Sequence, residues 1–216
     1  MYMSRIRLHP EAARHRDYWR TFRDIYQVHQ EIWKVFSRGS HDVRRYLYRL
    51  DHEDQREPVI LAVSEDVPIQ HEQPMWRVET KEFRPQLHAG ICLGFQLRAN
   101  PTVNRDGKHH SVVMDEKWRL KREGTSARTT DIIQYAGERW LREQAERSGV
   151  RIEWVRVENY RKHEFQCRAS KVQYATCDYH GMLTVQDPDA LLHVLRRGLG
   201  RAKAFGCGMM MIRRVA

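Results

Sequence analysis

The chain has 216 residues, enough for one large domain or two small ones whose core needs no disulfide. Its 38 Lys and Arg against 28 Asp and Glu leave a net charge of +10, which favours a polyanionic partner. No N-terminal apolar leader and no apolar run of spanning length occurs, and the four cysteines stand far apart without a CxxC pair. Secretion, a membrane partner, a disulfide framework and a zinc site are therefore not expected; reduced thiols in the cytoplasm are.

In chain order, Met3–Leu8 predicts a strand and residues 17–36 a helix with Asp17 as its N-cap. Arg45–Leu50 and Pro58–Val63 read as strands around an acidic turn, and Met75–Glu79 and Gly90–Leu97 add two more. That order fits a βαββαβ unit whose second helix is weakly marked. Asn100–Gly107 gathers turn residues at mid-chain and is the linker candidate.

Beyond it, Thr130–Ser148 predicts a helix with Ile133, Ala136, Trp140, Leu141 and Ala145 along one side, stopped by Gly149. Arg151–Glu158, Glu164–Arg168, Val172–Thr176 and Tyr179–Val185 are strand candidates. Asp187 or Asp189 caps the next helix, and Gly206–Val215 closes the unit. The second half thus repeats the alternation of the first without detectable sequence identity. The expected fold is α+β: two tandem ferredoxin-like (RRM-like) domains with antiparallel sheets, residues 1–99 and 100–216. The aromatic signature of a standard RRM is absent, so base stacking on a sheet face is not the expected binding mode.

Charge is uneven along the chain. Residues 1–100 hold 16 basic and 14 acidic side chains, net +2, while residues 101–216 hold 22 and 14, net +8. Arg156, Arg161, Lys162 and Arg168 gather with Tyr160 around a predicted hairpin, a pattern able to track phosphates and stack at a stem end. The tail interleaves Gly198, Gly200, Gly206 and Gly208 with Arg201 and Lys203. Glycine admits close backbone approach, and successive amides in such loops cradle anions. As a bare pattern, an anion-binding loop and a turn that lets the last strand pack are equally good readings.

Among twelve histidines, His29 stands out because Phe22, Tyr26, Trp33 and Phe36 share its stripe at helical spacing. On spacing alone such a histidine is more often a hydrogen-bonded core residue than a catalyst.

The tail is similar to the C-terminal glycine-rich loop of the repeat-associated (RAMP) RNA-processing proteins. The whole chain resembles the CasE family, the CRISPR repeat endoribonucleases of type I-E Cascade. Met3–Leu8, the helix from Tyr26 to Phe36, and Leu97–Thr102 followed by Gly107 and Lys108 carry the resemblance with the tail. It implies that His29 is the catalytic histidine, as general base or as acid, and that Tyr26, three residues earlier, orients the scissile phosphate or the nucleophile. The implied reaction is attack of a ribose 2′-hydroxyl on its own 3′-phosphate, leaving a 2′,3′-cyclic phosphate and a 5′-hydroxyl, without metal or cofactor.

The implied partners are the CRISPR repeat hairpin, the mature crRNA and other Cascade subunits. Gly198, Gly200, Arg201, Lys203, Gly206 and Gly208 would contact RNA with the basic hairpin. The stretch from Lys117 to Arg128 is expected to be mobile until RNA orders it, and His109 and His110 read as loop polarity. One departure is His109, where family members often continue Gly-Lys with Arg. The competing expectation is a non-catalytic RNA-binding scaffold of the same superfamily. A DNA-binding regulator finds no helix-turn-helix or zinc motif.

Overall fold

The computed structural model describes residues 1–14, 25–37, 39, 42–51, 59–69, 75–167 and 170–215. Strand β1 (Tyr2–Leu8) turns Ser4 and Ile6 inward beneath helix α1 (Ile25–Phe36), whose Val28, Ile32 and Val35 are buried. The aromatic stripe Tyr26, His29, Trp33 and Phe36 lies about a third of a turn round from that aliphatic row and is only half-buried. The helix therefore has two working sides, one for its own sheet and one facing elsewhere. Phe22 and Asp17 lie outside the described residues.

Strands β2 (Tyr46–Leu50), β3 (Val59–Ser64) and β4 (Trp76–Glu82) complete an antiparallel sheet in the order β2-β3-β1-β4. Ile6 faces Ile60 and Val78 across it. Between β3 and β4, the described residues 65–69 hold no helix.

The next strand, β5 (Cys92–Ala99), was expected to finish the first unit, but its hydrogen bonds lie elsewhere. It pairs with β9 (Ser170–Val185) and β10 (Met210–Arg214), with β8 (Val150–Cys167) outermost, in the order β10-β5-β9-β8. The sheets thus part before β5 and not after residue 99. Read within each sheet, both orders are fourth-first-third-second, the ferredoxin-like arrangement, so the tandem fold class stands. The alternation of Leu93, Phe95, Leu97 and Ala99 marks a half-buried strand but says nothing about its partner, which lies some 80 residues away: Cys92 pairs with Thr184 and Ala99 with Cys177.

Asn100–Gly107 is likewise no linker. Strands β6 (Thr102–Arg105) and β7 (Lys108–Ser111) form a hairpin around Asp106 and Gly107, both at positive φ (51° and 75°), the two-residue turn that an Asp-Gly pair favours. Helix α2 (Val112–Arg122) follows at once. It covers the first part of the stretch expected to be mobile, because Val112 and Val113 are buried and the near-buried Glu116 is gripped by Arg119 at 2.6 Å. Helix α3 (Thr129–Arg147) packs Trp140 and Leu141 over the second sheet. Helix α4 (Pro188–Arg197) is capped by Asp187, which accepts from the Asp189 and Ala190 amides at 2.9 and 3.1 Å. Among the described residues no helix is long and apolar enough to cross a membrane.

The four separate strand candidates of the second half fuse into β8 and β9, and the break expected near residue 159 is a bulge between Glu158 and Arg161, with Asn159 at φ 53°. Strand β9 pairs with β5 only over Cys177–Thr184, while β8 and β9 stay paired to Cys167 and Ser170. The far half of this hairpin therefore overhangs the sheet as a two-stranded arm.

A small third core, Leu47, Val63 and Met209 with Met3, Leu61 and Met211, ties the sheets together. The glycine-rich loop seals it. A Cβ on Gly198, at φ 73°, would lie 2.8 Å from Leu47, and one on Gly208, at φ 87°, 2.6 Å from the Leu199 carbonyl. Gly208→Ala combines positive-φ strain with a backbone clash, so it should lower the unfolding free energy by on the order of 2 kcal/mol in a urea titration. Wild-type stability in that variant would show the loop to be slack.

Candidate active site

The aromatic side of α1 faces the glycine-rich loop and the β8–β9 arm. The His29 ring centroid lies 6.3 Å from Trp33 and 6.1 Å from Phe205, and Tyr26 lies 6.5 Å from His29 and 6.4 Å from Phe165. Phe205 in turn meets Phe165 at 4.9 Å and Tyr174 at 5.5 Å, and His163 stacks on Tyr174 at 4.7 Å. Residues from the first helix, the arm and the tail thus form one patch of rings. Edge-on and offset contacts of this kind add to area burial and fix ring orientations.

Within the patch His29 is held low in basicity. Burial is the largest cause, the Arg44 charge lowers its pKa further below 6.5, and the Ala204 carbonyl acts in the opposite direction. Its Nδ1 is buried without a hydrogen-bond partner. The Ala204 carbonyl is itself fixed, since it accepts from Tyr48 Oη at 2.8 Å. At neutral pH the imidazole is therefore uncharged and able to accept a proton. Arg44 went unremarked in the sequence, where it is one arginine among many; its field reaches His29, Tyr46, Tyr48 and Lys203 in common.

The remaining expected residues fall into three groups. All four loop glycines, Gly198, Gly200, Gly206 and Gly208, have positive φ, so the turn-forming reading of the pattern holds at each. The Gly198 and Gly208 amides donate within the protein, to the Val194 and Arg98 carbonyls, both at 2.7 Å. Arg201 is exposed, whereas Lys203 Nζ turns back to donate to the Arg197 carbonyl at 2.7 Å. Arg161 and Lys162 sit on the arm just past the bulge, exposed. Arg156 lies before it, on the part of β8 that belongs to the sheet, paired with Glu158 at 3.0 Å. Arg168 lies outside the described residues. His109 and His110, read as loop polarity, are exposed on β7 and line a groove with Lys162 and Arg201.

Tyr48→Phe removes the hydroxyl that holds the Ala204 carbonyl and leaves that acceptor short of a donor. The variant should lose about 1–3 kcal/mol of stability by urea unfolding. No loss would mean that the loop beside His29 is held by its glycines alone.

Two ferredoxin-like units that bring a half-buried histidine beside a basic two-stranded arm define a tandem-RRM-like protein. The chain belongs to the CRISPR-associated protein family, whose model matches residues 1–214. It is similar to the CRISPR system Cascade subunit CasE of Escherichia coli, at 28% identity over 193 residues, 88% of this chain and 92% of that one. It is 26% identical over 234 residues to the CRISPR-associated endoribonuclease Cse3 of Thermus thermophilus, with 98% and 99% covered. The structure of Thermus thermophilus Cse3 bound to an RNA representing a pre-cleavage complex matches with a TM-score of 0.75 at 26% identity, over 99% of this chain and 100% of that one. The resemblance carried by the first helix and the tail is borne out.

Proposed function

We propose that this protein is the endoribonuclease that cuts CRISPR precursor RNA within the repeat hairpin and keeps the crRNA as a Cascade subunit in the cytoplasm. The observation that carries the reading is His29, its Nδ1 buried and unpartnered and its basicity lowered by burial, on the helix side that meets the tail loop and the basic arm. The relatives named CasE and Cse3, one of them captured with an RNA representing a pre-cleavage complex, support the substrate class.

In the proposed reaction the ribose 2′-hydroxyl gives its proton to the His29 imidazole while the 2′-oxygen forms a bond to phosphorus. The bond from phosphorus to the 5′-oxygen breaks, that oxygen takes up a proton from water, and a 2′,3′-cyclic phosphate remains. The lowered pKa favours His29 as the base, because an acid must hold a proton at working pH. Tyr26 orients the reacting groups from one turn away. Arg44 places positive charge beside a phosphate whose negative charge grows in the transition state. The acceptor is His29 and the proton donor is water, and the proposed reaction uses no metal ion.

His29→Ala should slow single-turnover cleavage of a repeat hairpin roughly a hundredfold or more, measured in chelator, with hairpin affinity within a fewfold of wild type. The wild type should bind but not cut the same RNA carrying deoxyribose 5′ of the scissile phosphate. A folded His29→Ala protein that cuts at the normal rate would return His29 to a packing role and favour the scaffold reading.

The pH dependence separates base from acid. Folding depresses the pKa of His29, so the neutral imidazole persists as pH falls past 6.5, and any stability from keeping it uncharged is lost only as pH drops from 6.5 through the lowered value. As a base, His29 gives kcat/KM that is flat through neutral pH and falls on an acidic limb below 6.5. Activity that instead rises as pH drops through that range would assign it the acid role.

A further inference from the structure

The ring patch closes one end of a larger groove that the proposed cleavage leaves unused. About 1290 Å³ in volume, it runs between α2 with the β6–β7 hairpin on one side and the β8–β9 arm on the other, and Tyr174, Phe205 and Arg201 line it. Sites for drug-sized ligands span roughly 300–1,000 Å³. This groove therefore takes something longer, of the order of several linked rings.

Its outer wall is the face of α2 that carries Met114, Lys117, Trp118 and Lys121, spaced three and four residues apart. Trp118 is 55% exposed and Met114 41%, although the same helix buries Val112, Val113 and Glu116 on its other side. The Arg122 guanidinium lies over the Trp118 ring, 4.8 Å from its centroid, so a cation covers one face of an indole that is otherwise exposed. Lys162 and Arg201 add positive charge along the groove. Of the lining carboxylates, Asp115 is bound by Arg105 at 2.7 Å and Glu164 by Lys171 at 2.6 Å, so Asp106 at the hairpin tip is the one acid left to oppose them among the described residues.

The deep end is selective in a different way. Asn100 lines the groove at 6% exposure, and its buried Oδ1 has no hydrogen-bond partner; the Tyr174 hydroxyl shares that state. A side-chain carbonyl can only accept, and a phosphate has no proton to give it at neutral pH. A base N–H or a ribose 2′-hydroxyl does. Cations and an exposed indole outside with an orphaned acceptor inside fit unpaired nucleotides. An A-form duplex keeps its base edges stacked away from such a slot.

We propose that this groove holds single-stranded nucleotides flanking the repeat hairpin. A base stacks on Trp118, Lys117 and Lys121 follow the backbone, and Asn100 Oδ1 accepts from a base or ribose donor. The proposal rests on the RNA-cleaving reading above. Because Phe205 lies 6.1 Å from His29, the strand that enters the groove is the one that leaves the scissile phosphate.

The test compares three RNAs by fluorescence anisotropy, all on a His29→Ala background that prevents cutting: the bare hairpin, the hairpin with a 5′ single-stranded flank, and the hairpin with a 3′ flank. One flank should tighten binding about tenfold or more over the bare hairpin, since stacking of a base on an aromatic ring commonly contributes that much. Trp118→Ala should bring that ratio close to one, and Trp118→Phe, which keeps a stacking ring, should restore most of it. Lys117→Ala with Lys121→Ala should flatten the salt dependence of the flanked RNA alone. If neither flank tightens binding, or the gain survives Trp118→Ala, the proposal falls and the groove is left for a protein subunit. If the bare hairpin itself fails to bind, it is the RNA-cleaving reading that fails, and the groove proposal falls with it.

Discussion

The wedge of the glycine-rich loop between the two sheets is the contact on which the candidate site depends. Residues 198–208 are braced on β2 from one side, through Leu47 against Gly198 and Tyr48 on the Ala204 carbonyl, and on β5 from the other, through the Gly208 amide to Arg98. Phe205 stands at the top of this wedge and meets rings of both α1 and the arm, which also touch directly through Tyr26 and Phe165. Without the wedge, His29 would lose its Phe205 contact and stand on the flank of a helix whose own sheet does not need it.

Burial beside Arg44 is unfavourable for a histidine that must charge, and Nδ1 without a partner adds a desolvation cost. Neither serves the fold. A core residue at that position would be better as an aliphatic side chain, as its neighbours Val28 and Ile32 are. A titratable group kept neutral at the expense of stability is what a proton acceptor requires, and in the proposed reaction the substrate's 2′-hydroxyl would supply the missing proton. The same logic applies at Asn100, whose unpartnered oxygen sits in the groove that runs outward from the ring patch.

Much of this was legible in the sequence where the signal is local. The aromatic periodicity that singled out His29 and Tyr26 placed both on one helix side, and Asp187 and Gly149 marked helix ends correctly. What the sequence hid is pairing. Gly90–Leu97 reads as a strand whichever sheet receives it, so the pattern places the boundary one strand late, and Asn100–Gly107 reads as a linker because a turn between two short polar strands lacks apolar alternation. Helix α2 was missed for a related reason: its charged face outweighs its two buried valines in any window average. In the tail, chain order could not tell a loop that cradles phosphate from one that seals a core. The clashes a Cβ would meet at Gly198 and Gly208 show that sealing alone explains those two glycines.

The two units are alike in strand order and divide the work by what each leaves uncovered. The first contributes the free side of α1, and the second contributes the overhanging arm and the tail. That division separates holding from cutting. Arg161 and Lys162 lie on the arm, whereas the proposed reaction takes place at the ring patch where α1 and the tail meet. On the proposed reading, contacts that the arm makes to RNA would be the same before and after the phosphate bond breaks, so cleavage would remove little of the binding energy. An enzyme built this way retains the strand it has cut, and retention is what a subunit of an RNA-guided complex needs from its processing nuclease.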